Sequence, residues 1–105
     1  MSLHLDSKFL AIVTGILKAY GLENETYVFG SRVRGDHKKY SDLDLVLKHK
    51  APLPTQILIK LKDDFEKSHL PISVDFVEWF HISDDFRKRI EQELVPLKAK
   101  SAPAK

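Results

Sequence analysis

The sequence predicts an α+β domain, built as a small mixed β-sheet with helices packed on one face. The first observation is the order of its periodic segments, which runs helix, strand, strand, helix, strand, helix. The second is size, because 105 residues with 43% hydrophobic side chains suffice for one core and leave little room for another. We therefore expect one domain over residues 1–96, followed by a disordered tail at 97–105.

A helix and a short strand open the domain. Apolar residues recur at steps of three and four over residues 8–20, with Asp6 or Ser7 as the N-cap and Gly21 as the stop. The next periodic segment, at 26–29, is short, β-branched and aromatic, which is typical of a buried strand. The chain thus begins with an amphipathic helix that precedes a core strand.

The second strand, predicted over residues 43–49, alternates between apolar and acidic side chains. Successive side chains of a strand point to opposite faces of the sheet. One face therefore carries Leu43, Leu45 and Leu47, and the other carries Asp42, Asp44 and Val46. The two acids of this strand are expected to point the same way.

The second half of the chain repeats the alternation of helix and strand. A helical stripe covers residues 55–68, and the segment "ISVDFVEW" follows as a third strand with Asp75 in its middle. Ser83 is predicted to cap a last helix with apolar residues at four-residue steps, which Pro96 closes. The acid inside the third strand is expensive to bury alone, so it needs a cation, a hydrogen-bond partner or a salt bridge.

Composition excludes several classes of function. The formal net charge of +2 is too small to indicate a nucleic-acid partner, because binding to phosphate backbones needs several clustered cations. The chain has no cysteine, so it forms neither disulfides nor thiolate metal sites. It also shows no apolar run typical of a signal peptide or membrane span. We expect a cytoplasmic protein with no direct contact to nucleic acid.

The candidate chemistry is concentrated in "GSRVRGDHKKYSDLDL", between the first two strands. Asp42 and Asp44 lie two residues apart on one strand face, about 6.6 Å, so both reach one cation or a close pair of cations. Mg²⁺ favours a few carboxylates together with phosphate oxygens of a substrate. An Asp-x-Asp pair alone is a weak signal, but the whole pattern G-S-x3-G-x5-S-D-x-D between two apolar strands is rare by chance.

The residues upstream of the acids are suited to phosphate. Gly30 permits a tight turn and a close approach of the backbone to a ligand. The Ser31 hydroxyl can donate a hydrogen bond to a phosphate oxygen. Positive charge for a triphosphate or a pyrophosphate leaving group comes from the cations of the loop, Arg32, Arg34, Lys38 and Lys39. The pattern predicts a site where acids hold metal and the turn with its bases holds phosphate.

This stretch resembles the signature of the DNA polymerase β-type nucleotidyltransferase superfamily, and the short chain resembles its minimal nucleotidyltransferase branch. The similarity extends through "LPISVDFVEW" and "SDDFRKRI", so it covers most of the chain from Phe9 to Ile90. The resemblance implies the polymerase β-like fold. It also implies that Asp42 and Asp44 bind Mg²⁺ and that Asp75, on a later strand, completes the catalytic and metal site.

The same resemblance implies the nucleotide site. Gly30 and Ser31 match the positions that hold the nucleotide phosphates, and we assign Arg32, Arg34 and Ser41 to nucleotide binding with them. The implied reaction uses ATP as substrate and two Mg²⁺ ions, and it transfers AMP to a hydroxyl group.

The resemblance further implies a partner. Minimal nucleotidyltransferases of this kind accompany a helical HEPN-domain toxin, a candidate RNase, and act as its antitoxin by adenylylating a tyrosine. Two alternatives stay open: an antitoxin that neutralises the HEPN protein by binding alone, and a small-molecule nucleotidyltransferase of the antibiotic-modifying kind. Trp79 and Phe80, at the end of the third strand, are either core residues or an apolar patch for the partner.

Overall fold

The computed structural model describes residues 3–38 and 41–97. Lys39 and the tail from residue 98 onwards lie outside these ranges. The helices are α1 Ser7–Lys18, α2 Ser31–Arg34, α3 Thr55–Lys67 and α4 Asp84–Glu91, and a 3₁₀ turn covers Trp79–His81. The strands are β1 Thr26–Phe29, β2 Leu43–Leu47, β3 Val74–Glu78 and β4 Val95–Pro96. Within the described ranges, none of the helices has the length and apolar character needed to cross a membrane.

The four strands form one sheet in the order β3-β2-β1-β4. β2 pairs in parallel with β3 and antiparallel with β1, and β1 pairs antiparallel with β4. The predicted mixed sheet is therefore confirmed. Its two central strands are the two that flank the acidic and basic loop, so the candidate site lies at the middle of the sheet.

The fourth strand was not predicted from the sequence. Pro96 was expected only to end the last helix, but α4 ends at Glu91 and the residues Val95–Pro96 pair with β1. Proline is tolerated there because β4 is at the edge of the sheet, where a missing N–H leaves no partner unpaired. Leu97 continues the pairing by donating its N–H to the Thr26 carbonyl at 3.0 Å. Leu97 is also buried, so the packed core extends one residue beyond the predicted domain end.

The main core lies between one face of the sheet and the helices α1 and α3. The leucines of β2 that were predicted to share a face are all fully buried there. They pack with residues from the two helices and from β1, among them Val13, Leu17, Val28, Leu61 and Phe65. The helical stripes seen in the sequence thus have the predicted function, which is to cover the leucine face.

Helix α4 packs on the opposite face of the sheet. Phe29 alternates with the buried Val28 along β1, so its ring points away from the main core. That ring contacts Phe86 of α4 edge to face, with centroids 5.8 Å apart. Helices α1 and α3 cover the leucine face as predicted, and α4 lies against the acidic face. The physical reason is that the acidic face also carries apolar side chains, such as the buried Val46, that need cover.

Candidate active site

A glycine turn joins β1 to the short helix α2 at the centre of the site. Gly30 has φ 88° and ψ −158°, a conformation open to glycine and strained for other residues. A Cβ atom at this position would lie 2.5 Å from Asp44 Oδ2. Gly30 is therefore required twice, for its backbone conformation and because the Asp44 carboxylate packs against its Cα. Helix α2 then ends at Gly35, again at φ 88°.

Strand pairing brings the carboxylates together. Asp44 pairs with Phe29 on one side and with Asp75 on the other. Paired residues on neighbouring strands lie about 4.8 Å apart and their side chains share a face. Asp42 is two residues before Asp44 and points the same way. The structure therefore places the three predicted acids on one surface of the sheet.

The surroundings of Asp44 on this surface raise the pKa of its carboxyl group. Burial is the largest cause that raises the pKa of Asp44, and the negative charges of Asp75 and Asp42 raise it further. Arg34 lowers this pKa, and Glu93 raises it. Like charges so close together favour a proton or a cation among them. The donor set, oxygen atoms of carboxylates next to space for a phosphate, fits a hard divalent cation.

Asp75 differs from the prediction in its surroundings. The sequence placed it in the middle of an apolar strand and so indicated a buried charge, but the side chain is exposed. The reason is that β3 is an edge strand and its acidic face is open at this point. The cost of burial therefore explains nothing about Asp75. Its position beside Asp44 is what connects it to the site.

A metal site is not preformed by side chains alone. In the ranges 3–38 and 41–97, no three His, Cys, Asp or Glu side chains are gathered closely enough to hold an ion. Mg²⁺ rarely uses such a closed cage, because it keeps several waters and takes phosphate oxygens from its substrate. Asp42 and Asp44 fit this open type of site, with Asp75 next to them.

A cleft of about 340 Å³ opens beside Gly30 and Asp44. Its walls combine apolar, basic and acidic side chains, namely Phe29, Gly30, Arg34, Asp44, Arg89, Ile90 and Glu93. Arg34 was predicted to bind phosphate, and it does line this cleft. Arg89 and Glu93 were missed, because in the sequence they belong to the charged face of the last helix. Only the pairing of β4 with β1 shows that this part of the chain lies beside Gly30, and a local sequence pattern does not reveal that pairing.

Arg32 lies elsewhere and has a different environment. It is 5% exposed, and it donates to the carbonyls of Ser41 at 3.1 Å and His4 at 3.0 Å. Ser41 in turn accepts from the Lys38 N–H through its hydroxyl at 2.7 Å. These contacts hold the loop between α2 and β2. The placement of Arg32 and Ser41 favours a role in shaping that loop over direct contact with a nucleotide.

Known proteins are similar to this chain in sequence over most of its length. A model of the nucleotidyltransferase domain matches residues 10–97. A Haemophilus influenzae protein named as a probable protein adenylyltransferase MntA is 41% identical over 98 residues, which cover 93% of this chain and 86% of that protein.

Two solved structures share the fold. A structure described as a candidate minimal nucleotidyltransferase is 26% identical with a TM-score of 0.67, covering 89% of this chain and 97% of that one. A crystal structure of a toxin–antitoxin with AMP-PNP is 20% identical with a TM-score of 0.67, covering 84% of this chain and 71% of that one.

The glycine turn, the strand acids and the mixed sheet define an enzyme of the nucleotidyl-transferring class. The chain belongs to the nucleotidyltransferase domain family. The resemblance to minimal nucleotidyltransferases that the sequence indicated is thereby confirmed, as is the fold class.

Substitution of Gly30 tests the turn. Gly30→Ala is expected to destabilise the protein by about 1–3 kcal/mol through backbone strain alone, and to displace Asp44 as well. Gly15→Ala is the matched control, because Gly15 is exposed in α1 and a Cβ atom added there would have no other atom within 4 Å. That change should stabilise the helix by about 0.5–1 kcal/mol. Urea unfolding measures both, and equal effects would contradict the role given to Gly30.

The raised pKa of Asp44 predicts a pH-dependent stability in EDTA, without metal. The folded state holds this proton more tightly than the unfolded chain, whose pKa is near the ordinary 3.8. The folded protein therefore loses stability as pH rises from that value through the raised pKa of the folded state. Asp44→Asn removes this loss and should raise Tm at pH 7, with no gain near pH 3.

The control for this experiment is Asp63→Asn, which removes an exposed acid paired with Lys67 on α3. This change should not raise Tm at pH 7. Thermal unfolding followed by circular dichroism gives the readout. An Asp44→Asn variant less stable than the parent at pH 7 would show that the Asp44 charge is stabilised in the folded protein.

Proposed function

We propose that this protein transfers AMP from ATP to a protein hydroxyl in a Mg²⁺-dependent reaction, and that it acts as the antitoxin of a HEPN-domain toxin. The observation that carries the proposal is the parallel register that sets Asp75 beside Asp44, next to the Gly30 turn. The 41% identity to a protein named as an adenylyltransferase supports the choice of reaction. The acceptor we propose is a tyrosine of the toxin.

In the proposed reaction the acceptor oxygen forms a bond to the α-phosphorus of ATP. The bond from the α-phosphorus to the oxygen that bridges to the β-phosphorus breaks, and pyrophosphate leaves. The hydroxyl proton passes to the Asp75 carboxylate, which is exposed and can release it to water. Asp75 therefore contributes mainly when the acceptor loses its proton, and less when ATP binds.

The carboxylates of Asp42, Asp44 and Asp75 are the residues that would hold Mg²⁺. Two such ions supply charge that lowers the pKa of the acceptor hydroxyl and neutralises the leaving pyrophosphate. The pKa of Asp44 is raised first by burial and then by the negative charges of Asp75 and Asp42, and a cation held by these carboxylates would offset both effects.

We assign the nucleotide phosphates to the cleft beside Gly30. Gly30 and Ser31 provide the turn, and Arg34 and Arg89 provide positive charge in the cleft wall. Arg32 and Ser41 support this site indirectly, by holding the loop that leads to Asp42. Because ATP is the proposed substrate, we place the reaction in the cytoplasm.

The surface beside β3 is our candidate for the partner interface. Phe80 is 41% exposed, which is unusual for a large apolar side chain in this protein. Its neighbour Trp79 is packed between Lys48, 4.5 Å from the ring centroid, and Arg87, 5.3 Å away. A rigid aromatic next to an exposed one is typical of the anchor of a protein interface. The fold shared with a toxin–antitoxin structure supports a toxin as the partner.

Asp75→Asn separates catalysis from nucleotide binding. We expect this variant to bind Mg·ATP within a few-fold of the parent and to transfer AMP about 100-fold more slowly or worse. Calorimetry gives the affinity, and transfer of label from α-labelled ATP to the HEPN partner gives the rate. Asp63→Asn serves as the control for loss of an exposed acid and should leave both quantities unchanged.

The same variant distinguishes adenylylation from occlusion. Growth of cells that express the toxin is measured beside label transfer. Full rescue by Asp75→Asn without transferred label would show that binding alone neutralises the toxin. Unchanged transfer would show instead that Asp75 is not the catalytic base.

Phe80→Ala tests the partner surface. We expect about tenfold weaker binding to the HEPN partner, with little change in Tm because the side chain is already exposed. Lys8→Ala is the control, since Lys8 is exposed in the first turn of α1, a helix that contributes no residue to the proposed surface. Light scattering and titration of the purified complex measure the effect. Equal affinities for the parent and Phe80→Ala would show that Phe80 is not part of the interface.

A further inference from the structure

Glu93 occupies a position next to Gly30 that follows from the pairing of β4 with β1. Val28 pairs with Val95, and the antiparallel register continued by two residues puts Glu93 opposite Gly30. In a regular strand pair the Gly30 N–H would donate to a backbone carbonyl, but here it donates to the side chain of Glu93. The Gly30 N–H donates to Glu93 Oε1, with 3.3 Å between nitrogen and oxygen.

The same carboxylate also holds Arg34. Nη1 of Arg34 donates to Oε1 at 3.1 Å and to Oε2 at 3.2 Å. The Glu93 side chain is only 13% exposed, so these contacts are shielded from water more than those of a surface pair. Glu93 thus binds both the backbone donor and the cation that we assign to the nucleotide phosphates.

A mostly buried glutamate is unexpected in a cleft that is to receive a polyanion. It stands near Asp44, and its negative charge is one of the causes that raise the pKa of that carboxyl. Carboxylate and phosphate oxygens use the same donors, namely backbone N–H groups and guanidinium. In the protein without nucleotide, Glu93 therefore satisfies donors that a phosphate would otherwise satisfy.

We propose that Glu93 competes with the nucleotide from within the chain: its carboxylate fills the anion position formed by the Gly30 N–H and Arg34, and the donor triphosphate displaces it. This inference rests on the proposed function, since it concerns the same cleft. It makes Glu93 a residue that sets the affinity for ATP and that has no part in the chemistry at the α-phosphorus.

The surroundings of Glu93 permit displacement of the side chain alone. Its backbone is held by the N–H bond to the Ile90 carbonyl at 2.9 Å and by the β4 pairing that follows. The side chain lines a cleft of about 340 Å³, which leaves room for another rotamer. The apparent affinity for the triphosphate is then the intrinsic affinity reduced by the fraction of molecules in which Glu93 is displaced.

Glu93→Gln is the test, because it keeps the shape and removes the charge. We expect Mg·ATP and inorganic tripolyphosphate to bind about 3- to 10-fold more tightly than to the parent, with KM for ATP lowered and kcat within about twofold. Glu91→Gln is the matched control, an exposed acid at the end of α4, two residues before Glu93 and outside the cleft wall, and should change affinity less than about twofold.

Two results with Glu93→Gln would overturn the inference, namely weaker binding and unchanged binding. If Glu93 serves only to orient Arg34, Glu93→Gln weakens binding of both ligands, and the inference is overturned. Unchanged affinity overturns it as well. Should the Gln variant fail to fold, Glu93→Asp replaces it: the shorter side chain keeps the charge but loses its reach to the Gly30 N–H, so tighter binding supports the inference and equal or weaker binding refutes it.

The outcome is separable from that of the proposed function. A parent protein that binds Mg·ATP but labels no HEPN partner refutes the proposed transfer, while the affinity of the Gln variant still decides the role of Glu93. Transfer by the parent with no gain in affinity overturns the inference alone. A parent without measurable affinity for Mg·ATP refutes the inference unless Glu93→Gln creates that affinity.

Discussion

The pairing of the central strand β2 is the constraint on which the site depends. Its leucines are fully buried against α1 and α3, and this packing determines which face the intervening acid takes. A slip of one residue would bring the carboxylate of Asp44 into the core and the leucines to the cleft. Burial of an unpaired carboxylate is costly, so the core itself holds the acids in register with β1 and β3. Stability and site geometry have the same physical origin here.

Short-range patterns in the sequence predicted those parts of the site that lie on one element. Asp42 and Asp44 share a strand face because side chains alternate, and the glycine turn before them is a local feature. The core helices were predicted for the same reason, since their apolar stripes follow a period of three to four residues. The bounds of α1 agree within two residues, from a predicted 8–20 to an observed Ser7–Lys18.

Features that depend on pairing between distant segments were not predicted, or were predicted with the wrong surroundings. Asp75 was expected to be buried because its strand is apolar, yet the strand order puts it at an open edge. Glu93 and Arg89 were not singled out from the sequence, because nothing near them shows that β4 folds back along β1. Arg32 was one of several equivalent cations in the loop, and its burial and its bonds to the Ser41 and His4 carbonyls distinguish it from Arg34.

The open edge at Asp75 affects which nucleophile reacts. In the proposed reaction the exposed carboxylate is as accessible to water as to a hydroxyl side chain, so hydrolysis of ATP would compete with transfer. Asp75 lines a cleft with Lys62 of α3, but its side chain stays exposed there. In the proposed reaction, discrimination would therefore come from how long and how well the acceptor is held. Well-oriented groups reach effective concentrations of about 10⁵ M or more, far above that of liquid water. In such an enzyme, the preference for the acceptor over water is a property of the complex with the bound acceptor protein and not of the catalytic chain by itself.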